Sequence, residues 1–298
     1  MSSATTIEWT DATWNVITGC SRVSRGCGGH DGGGCYAERL AATRLRHHPS
    51  RKGLTDRNGR WTGKVRLNRQ WIGQPMRWRR PRRIFVCAHS DLFHENVPDQ
   101  WLDIVFAVMA QSTRHTFQIL TKRPARARDY LIGLTRRDSW PWSHVWIGVS
   151  VEDQRTADRR IPILLETPAA VRWISAEPLL GPVDLCRLGW KSEDGGRTLS
   201  FIDALEGERF VQREASPARP PSSCEVSSVP WLDWVVCGGE SGPGARPMDP
   251  AWVRSLRDRC VDSGVPFFFK QWGGTNRKRT GRVLDGRTWD QMPRRKAA

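Results

Sequence analysis

The sequence predicts an α/β fold, a partial (β/α)6-7 TIM-like barrel with an N-terminal three-cysteine loop and an insertion between late strands. Three observations predict it. Short apolar runs recur, each ends abruptly in polar or charged side chains, and helix-like segments separate them. The runs are marked by Ile84, Thr116, Val145, Val171, Trp234 and Pro266, giving steps of 32, 29, 26, 63 and 32 residues. All but one step match βα units of about 30 residues. Near-continuous apolar strands alternating with helices indicate a parallel sheet covered by helices. A barrel is preferred to a doubly wound sheet because nearly every run ends in functional-looking side chains, which a barrel gathers at one mouth.

Taken in order, a first strand is expected in Thr13 to Thr18, feeding directly into a glycine-rich loop that holds Cys20, Cys27 and Cys35. Tyr36 then opens a helix from Ala37 to Leu45. Residues 49–82 form a basic, tryptophan-bearing loop in which Arg beside Trp suits phosphates and stacked bases, or simply a proline-broken surface. Pro98 opens a helix with Trp101, Ile104, Val105 and Val108 at helical spacing, and Asp249-Pro250 starts another that Gly264 ends. Residues 183–230, rich in Gly, Ser and Pro, account for the doubled step as an insertion, with a hairpin expected around Leu199 to Val211. No linker divides the chain, so residues 1–298 read as one domain.

Composition sets broad limits. Among 298 residues no apolar run reaches the roughly 18 that a membrane span needs. The first residues lack the basic and apolar regions of a secretory signal, so a cytoplasmic location is expected. Cys87, Cys186, Cys224, Cys237 and Cys260 are scattered and read as small buried residues. The net charge of +16 fits a nucleic-acid partner, but 40 of the 47 basic residues are Arg and there are 16 Trp against 2 Tyr, as in GC-rich genomes. Charge alone leaves the two explanations open.

Four explanations compete for the three loop cysteines: a redox disulfide would need only two of them, unrelated buried thiols would not need so many glycines, and two metal chemistries remain. A structural zinc site would use Cys20, Cys27, His30 and Cys35, whereas an iron-sulfur cluster would take the cysteines alone and leave one corner open for chemistry. Asp91, Lys122, Arg123, Glu152, Glu177, Glu240 and Lys270 all lie at strand ends, and a barrel mouth lined this way favours catalysis. Each of them taken singly reads equally well as a structural ion pair. Gly238-Gly239-Glu240 adds a strand end where backbone can approach a ligand closely.

Several blocks carry a resemblance over nearly the whole chain. They are Ile7-Glu8-Trp9-Thr10, Thr18-Gly19-Cys20, Gly26-Cys27, Cys35-Tyr36-Ala37-Glu38, Asp91-Leu92-Phe93-His94, Leu120-Thr121-Lys122-Arg123-Pro124, Gly148 to Asp153, Glu177 to Gly181, Gly238 to Gly242, Arg246-Pro247 and Phe268 to Gly273. Together they resemble the phage-associated three-Cys-motif family, named after phage gene products thirty-seven and sixty-eight and radical-SAM-like. The resemblance implies a four-iron four-sulfur cluster on Cys20, Cys27 and Cys35. It also implies S-adenosylmethionine as cofactor, an external electron donor, a 5′-deoxyadenosyl radical that abstracts hydrogen, and a separate three-Cys-motif partner protein. The family's usual spacing is C-x6-C-x2-C, and here the second gap is seven residues and contains His30.

Strand-end position then assigns the remaining roles. Ser90, Asp91, Ser150, Glu177, Gly238, Gly239 and Glu240 are expected to hold the cofactor, Lys122, Glu177 and Glu240 to act in catalysis, and Arg123, Glu152 and Lys270 to meet a substrate, with nucleic acid or a nucleotide the first class to consider. The competing expectation is a zinc-stabilised nucleic-acid-binding protein without catalysis.

Overall fold

Seven short strands run parallel in one sheet: β1 (Ala12–Trp14), β4 (Arg83–Val86), β5 (Thr116–Thr121), β6 (Val145–Val151), β7 (Val171–Ala176), β12 (Trp234–Gly238) and β13 (Phe267–Gln271). Their spatial order is β1-β4-β5-β6-β7-β12-β13, and the sheet curls into a half-barrel. The computed structural model describes residues 5–28, 32–137, 139–193, 198–213 and 224–293. Six strands fall on the predicted runs. The first is shorter than expected, because Ile17–Thr18 (β2) leaves the sheet to pair antiparallel with Arg66–Leu67 (β3).

Helices α1 (Tyr36–Ala42), α2 (Gln74–Arg77), α3 (Asp99–Gln111), α4 (Pro124–Thr135), α5 (Gln154–Glu166) and α6 (Pro250–Asp262) supply the crossovers and loops. Two start where sequence chemistry dictates. Asp153 accepts from Thr156 N at 2.9 Å in a capping box, and Asp249 accepts from Ala251 N at 2.8 Å with Pro250 in the first turn. The apolar faces of α3 to α6 share one buried cluster with Ile84, Ile119, Ile147, Val235 and Phe269 from one face of the sheet.

The other face is the half-barrel interior, and its content follows from the two-residue period of a strand. Trp146, Gly148 and Ser150 share that face on β6; on β7, Trp173 and Ser175 lead to Glu177. Phe268 precedes Lys270 on β13. Aromatic residues therefore fill the bottom, where Trp9, Trp146, Trp173, Trp234 and Phe268 pack together, and polar residues line the top. Gly148 is needed here, since a Cβ on it would lie 2.5 Å from the Trp173 indole.

The doubled step holds an antiparallel sheet instead of a βα unit. Strands β8 (Leu188–Glu193), β9 (Thr198–Asp203), β10 (Glu208–Arg213) and β11 (Cys224–Ser228) lie in the order β11-β10-β9-β8. The expected hairpin is β9–β10, with Phe201 opposite Phe210 and their rings stacked at 4.7 Å.

Residues 49–82 do not act as one loop. The part before β3 packs beside the cysteine loop, whereas α2 and Trp78 to Arg82 lie at the opposite strand ends, where Pro75 O meets His115 Nε2 at 3.0 Å and Arg82 O accepts from Thr116 N at 2.8 Å. Among the described residues, no helix is long and apolar enough to cross a membrane.

Candidate functional site

The carboxyl ends of the parallel strands enclose a cavity of about 380 Å³, within the range of small-molecule sites. Trp9, Phe85 and Leu120 form its apolar floor. Cys20, Cys27 and Cys35 all line it, as do Ser90, Asp91, Lys122, Arg123, Ser150, Glu177, Glu240 and Lys270. Thus eleven residues far apart in sequence, each expected to serve the site, meet in one space. Glu152 lies just beneath it, fully buried. Gly238 ends β12 alongside and Gly239 follows it, and a Cβ on Gly239 would strike Trp272 O at 2.1 Å. A cavity of similar volume, about 370 Å³, opens between Arg172, Asp233 and Trp231 at the other end of the sheet and has no thiol in its wall.

The cysteine loop is held in place by the strand ends. Gly19, at φ +95, passes so close to the chain after the basic turn that a Cβ would meet Lys64 O at 2.1 Å. Ser90 Oγ donates to Gly19 O at 2.5 Å, and Gly63 N donates to Cys20 O at 3.2 Å. Three buried acids then clamp successive parts of the loop. Asp91 binds Arg123 at 3.1 Å, and Arg123 donates to Ser21 Oγ at 2.7 Å and reaches Cys20 Sγ at 3.9 Å. Glu152 accepts from Ser24 Oγ at 2.8 Å. Glu240 accepts from Gly34 N at 3.0 Å, while Arg246, at 2.8 Å from both of its oxygens, donates to Arg25 O at 3.0 Å.

These partners fill most acceptor sites of the three acids. Asp91 also accepts from Phe93 N, Thr121 Oγ1 and Lys122 N, and Glu152 faces Lys122 Nζ and Arg160 Nη1, both at 3.2 Å. Burial by itself would raise the Glu152 carboxyl, but the charges of Lys122 and Arg160 outweigh it and hold the group below the usual range. The same contest favours ionised Glu240, through hydrogen bonds from Arg246 and Gly34. Arg123, expected to meet substrate, is likewise engaged with Asp91, Glu95 and Ser21.

Fewer groups are left to touch a ligand. Lys270 Nζ and Glu177 Oε1 form a pair at 2.6 Å on the cavity wall. Ser150 and Ser175 sit directly opposite one another on β6 and β7 with both residues lining the cavity. Ser175 escaped sequence reasoning, although counting two residues back from Glu177 finds it. Cys87 did too: read as a small buried residue, it lines the cavity from the end of β4 in a left-handed conformation, φ 57. Arg246 was quoted only within a motif, and Ser24 and Arg160 gave no local signal.

Tyr36 lines the cavity after Cys35, donating its hydroxyl to Ala88 O at 2.5 Å and packing edge-on against His89 at 5.7 Å. Behind it lies Arg51, a buried guanidinium bonded to His89 Nδ1 at 2.6 Å. Burial, then the Arg51 charge, pushes His89 down to about 4. Burial pushes the Cys20 thiol up to about 12, with Asp91 adding to the rise and Arg123 opposing it.

Among the described residues, no three His, Cys, Asp or Glu side chains are grouped so as to hold a single metal ion. His30 lies outside the described residues. The family model described as "Protein of unknown function (DUF5131)" matches residues 4–293. The chain belongs to the DUF5131 family. No curated protein and no solved structure matches this DUF5131 chain.

Proposed function

We propose that this DUF5131 chain is a radical-SAM-like iron-sulfur enzyme of the phage-associated three-Cys-motif kind, a cytoplasmic protein working with an external electron donor and a three-Cys-motif partner. On this reading the half-barrel is a (β/α)6-7 barrel whose mouth is the reaction site. One observation carries the reading: three thiols from a single loop share a 380 Å³ cavity with the polar ends of six parallel strands. The donor set fits a cluster better than one ion. Three thiols from one loop leave the fourth corner open, where a structural zinc site would close all four.

Bound there, a four-iron four-sulfur cluster with S-adenosylmethionine would supply one-electron chemistry for hydrogen abstraction, with the electron coming from the external donor. The protein's own residues do the rest. Cys20, Cys27 and Cys35 would hold the cluster, and the Asp91, Glu152 and Glu240 clamps fix the loop that carries them. The opposed charges of Lys270 and Glu177 complement the carboxylate and ammonium of an amino-acid head group. Ser150 and Ser175 offer hydroxyls to a ribose or amine, and Trp9, Phe85 and Leu120 keep water from the floor.

Release of 5′-deoxyadenosine from S-adenosylmethionine, by anaerobically reconstituted protein under a strong reductant, tests the reading. Product in wild type and none in Cys27→Ser supports it. Equal traces in both would sink it.

A further inference from the structure

Residues 49–82 contain eleven basic and one acidic residue, a net charge of +10 within a chain of +16. A compositional bias would spread its arginines over the whole chain, so this concentration calls for a local cause. The structure divides the segment, and only one half lies near the cavity. There, residues 54–62 form a tight turn: Thr62 N donates to Leu54 O at 3.0 Å, Asp56 N to Arg60 O at 2.8 Å, and Thr55 pairs with Trp61. Asp56, the acidic residue, is spent inside the turn on Asn58 N and Arg60 N.

Arg57 and Arg60 project from the turn, with Lys52 before it and Lys64 after it, and all four are exposed. None forms an ion pair with a described residue. Elsewhere exposed arginines find acids, as Arg137 does with Asp103 and Arg254 with Asp285. The turn is fastened to the cysteine loop at both sides. Gly63 N donates to Cys20 O at 3.2 Å, and Trp61 N donates at 2.8 Å to Glu38, which stands three residues after Cys35 and also binds Arg22. Four unneutralised cations therefore stand on and beside a turn bonded to the cysteine loop, with the half-buried Trp61 among them.

We propose that this turn grips the sugar-phosphate backbone of a single-stranded nucleic acid, and that the substrate of the cavity is a nucleotide unit of that strand. The substrate assignment rests on the radical-SAM-like reading; the backbone grip does not. Unpaired cations release counterions from phosphates, and an aromatic face stacks bases without regard to sequence. A single strand is favoured because a base inside a duplex must first be unpaired and flipped out to reach the cavity.

The test is fluorescence anisotropy with labelled single-stranded 20-mers of DNA and RNA, repeated across a salt series. If all four cations meet phosphates, they contribute a log-log salt slope of about −2.8, and Arg57→Glu with Arg60→Glu removes about half of it and weakens binding roughly tenfold or more. The pair Arg79→Glu with Arg80→Glu, equal in charge change but at the opposite strand ends, leaves affinity within about twofold. Both pairs alter exposed side chains, and matching melting curves verify that the fold is kept. Equal losses from the two pairs, a preference for duplex over single strand, or no binding at low salt each overturn the inference. Iron analysis of the same preparation separates the two readings: iron-free protein that still binds through the turn upholds the grip and overturns only the cavity chemistry.

Discussion

Gly26, next to Cys27, faces the Glu152 carboxylate, and a Cβ there would lie 2.5 Å from both Cγ and Oε1. Glu152 cannot step aside, because Ser24, Lys122 and Arg160 hold it at 2.8, 3.2 and 3.2 Å. Gly26→Ala alone should therefore overpack the loop and cost about 1–3 kcal/mol. Glu152→Ala removes the obstruction but leaves Lys122 and Arg160 facing each other without their anion, at about 3–5 kcal/mol. If the clash is the reason for glycine, the double variant costs no more than Glu152→Ala alone, a coupling of about 1–3 kcal/mol. Urea unfolding of the metal-free protein, followed by tryptophan fluorescence, measures all four corners of the cycle. Additivity of the two single costs within about 0.5 kcal/mol would refute the account of how strand ends position the cysteine loop.

Three further outcomes are expected. His89 is held near 4 in the fold by burial and Arg51, against about 6.5 when unfolded, so the unfolded chain binds more protons between those values. Stability is then full above about pH 6.5 and falls as pH drops toward 4, by up to about 3 kcal/mol; urea midpoints across that range should decline less in His89→Asn, and equal declines contradict the assignment. Gly148→Ala drives a methyl against the Trp173 indole and should destabilise by about 1–3 kcal/mol, seen as a lower melting temperature, with an unchanged one showing that the aromatic floor yields. Lys270→Met removes the cation facing Glu177 and should weaken S-adenosylmethionine binding roughly tenfold or more by equilibrium dialysis, since charge-assisted bonds contribute about 1.5–3 kcal/mol; undiminished binding would exclude the pair from the cofactor site.

How much of this was legible depends on how local each signal is. The parallel strands were readable because each is an apolar run with an abrupt polar end, and the position of Lys122, Glu177 or Lys270 at such an end follows from that pattern alone. The insertion declared itself by composition and spacing. The clamps did not: Ser24 meets Glu152 across 128 residues and Gly34 meets Glu240 across 206, and nothing local in either segment marks those partners. For the same reason the sequence leaves Asp91, Glu152 and Glu240 equally readable as site acids or as ion-paired supports, whereas in the fold they spend their oxygens holding the loop. The two halves of residues 49–82 share a composition, and only the pairing of β2 with β3 reveals that they reach opposite ends of the sheet.

The central claim is that Cys20, Cys27 and Cys35 hold an iron-sulfur cluster in the cavity, and it is tested most directly by iron, acid-labile sulfide and zinc analysis of anaerobically purified protein. The account predicts about four iron with matching sulfide per chain, lost on changing any one of the three to Ser and kept in Cys87→Ser. Stoichiometric zinc without sulfide would contradict it.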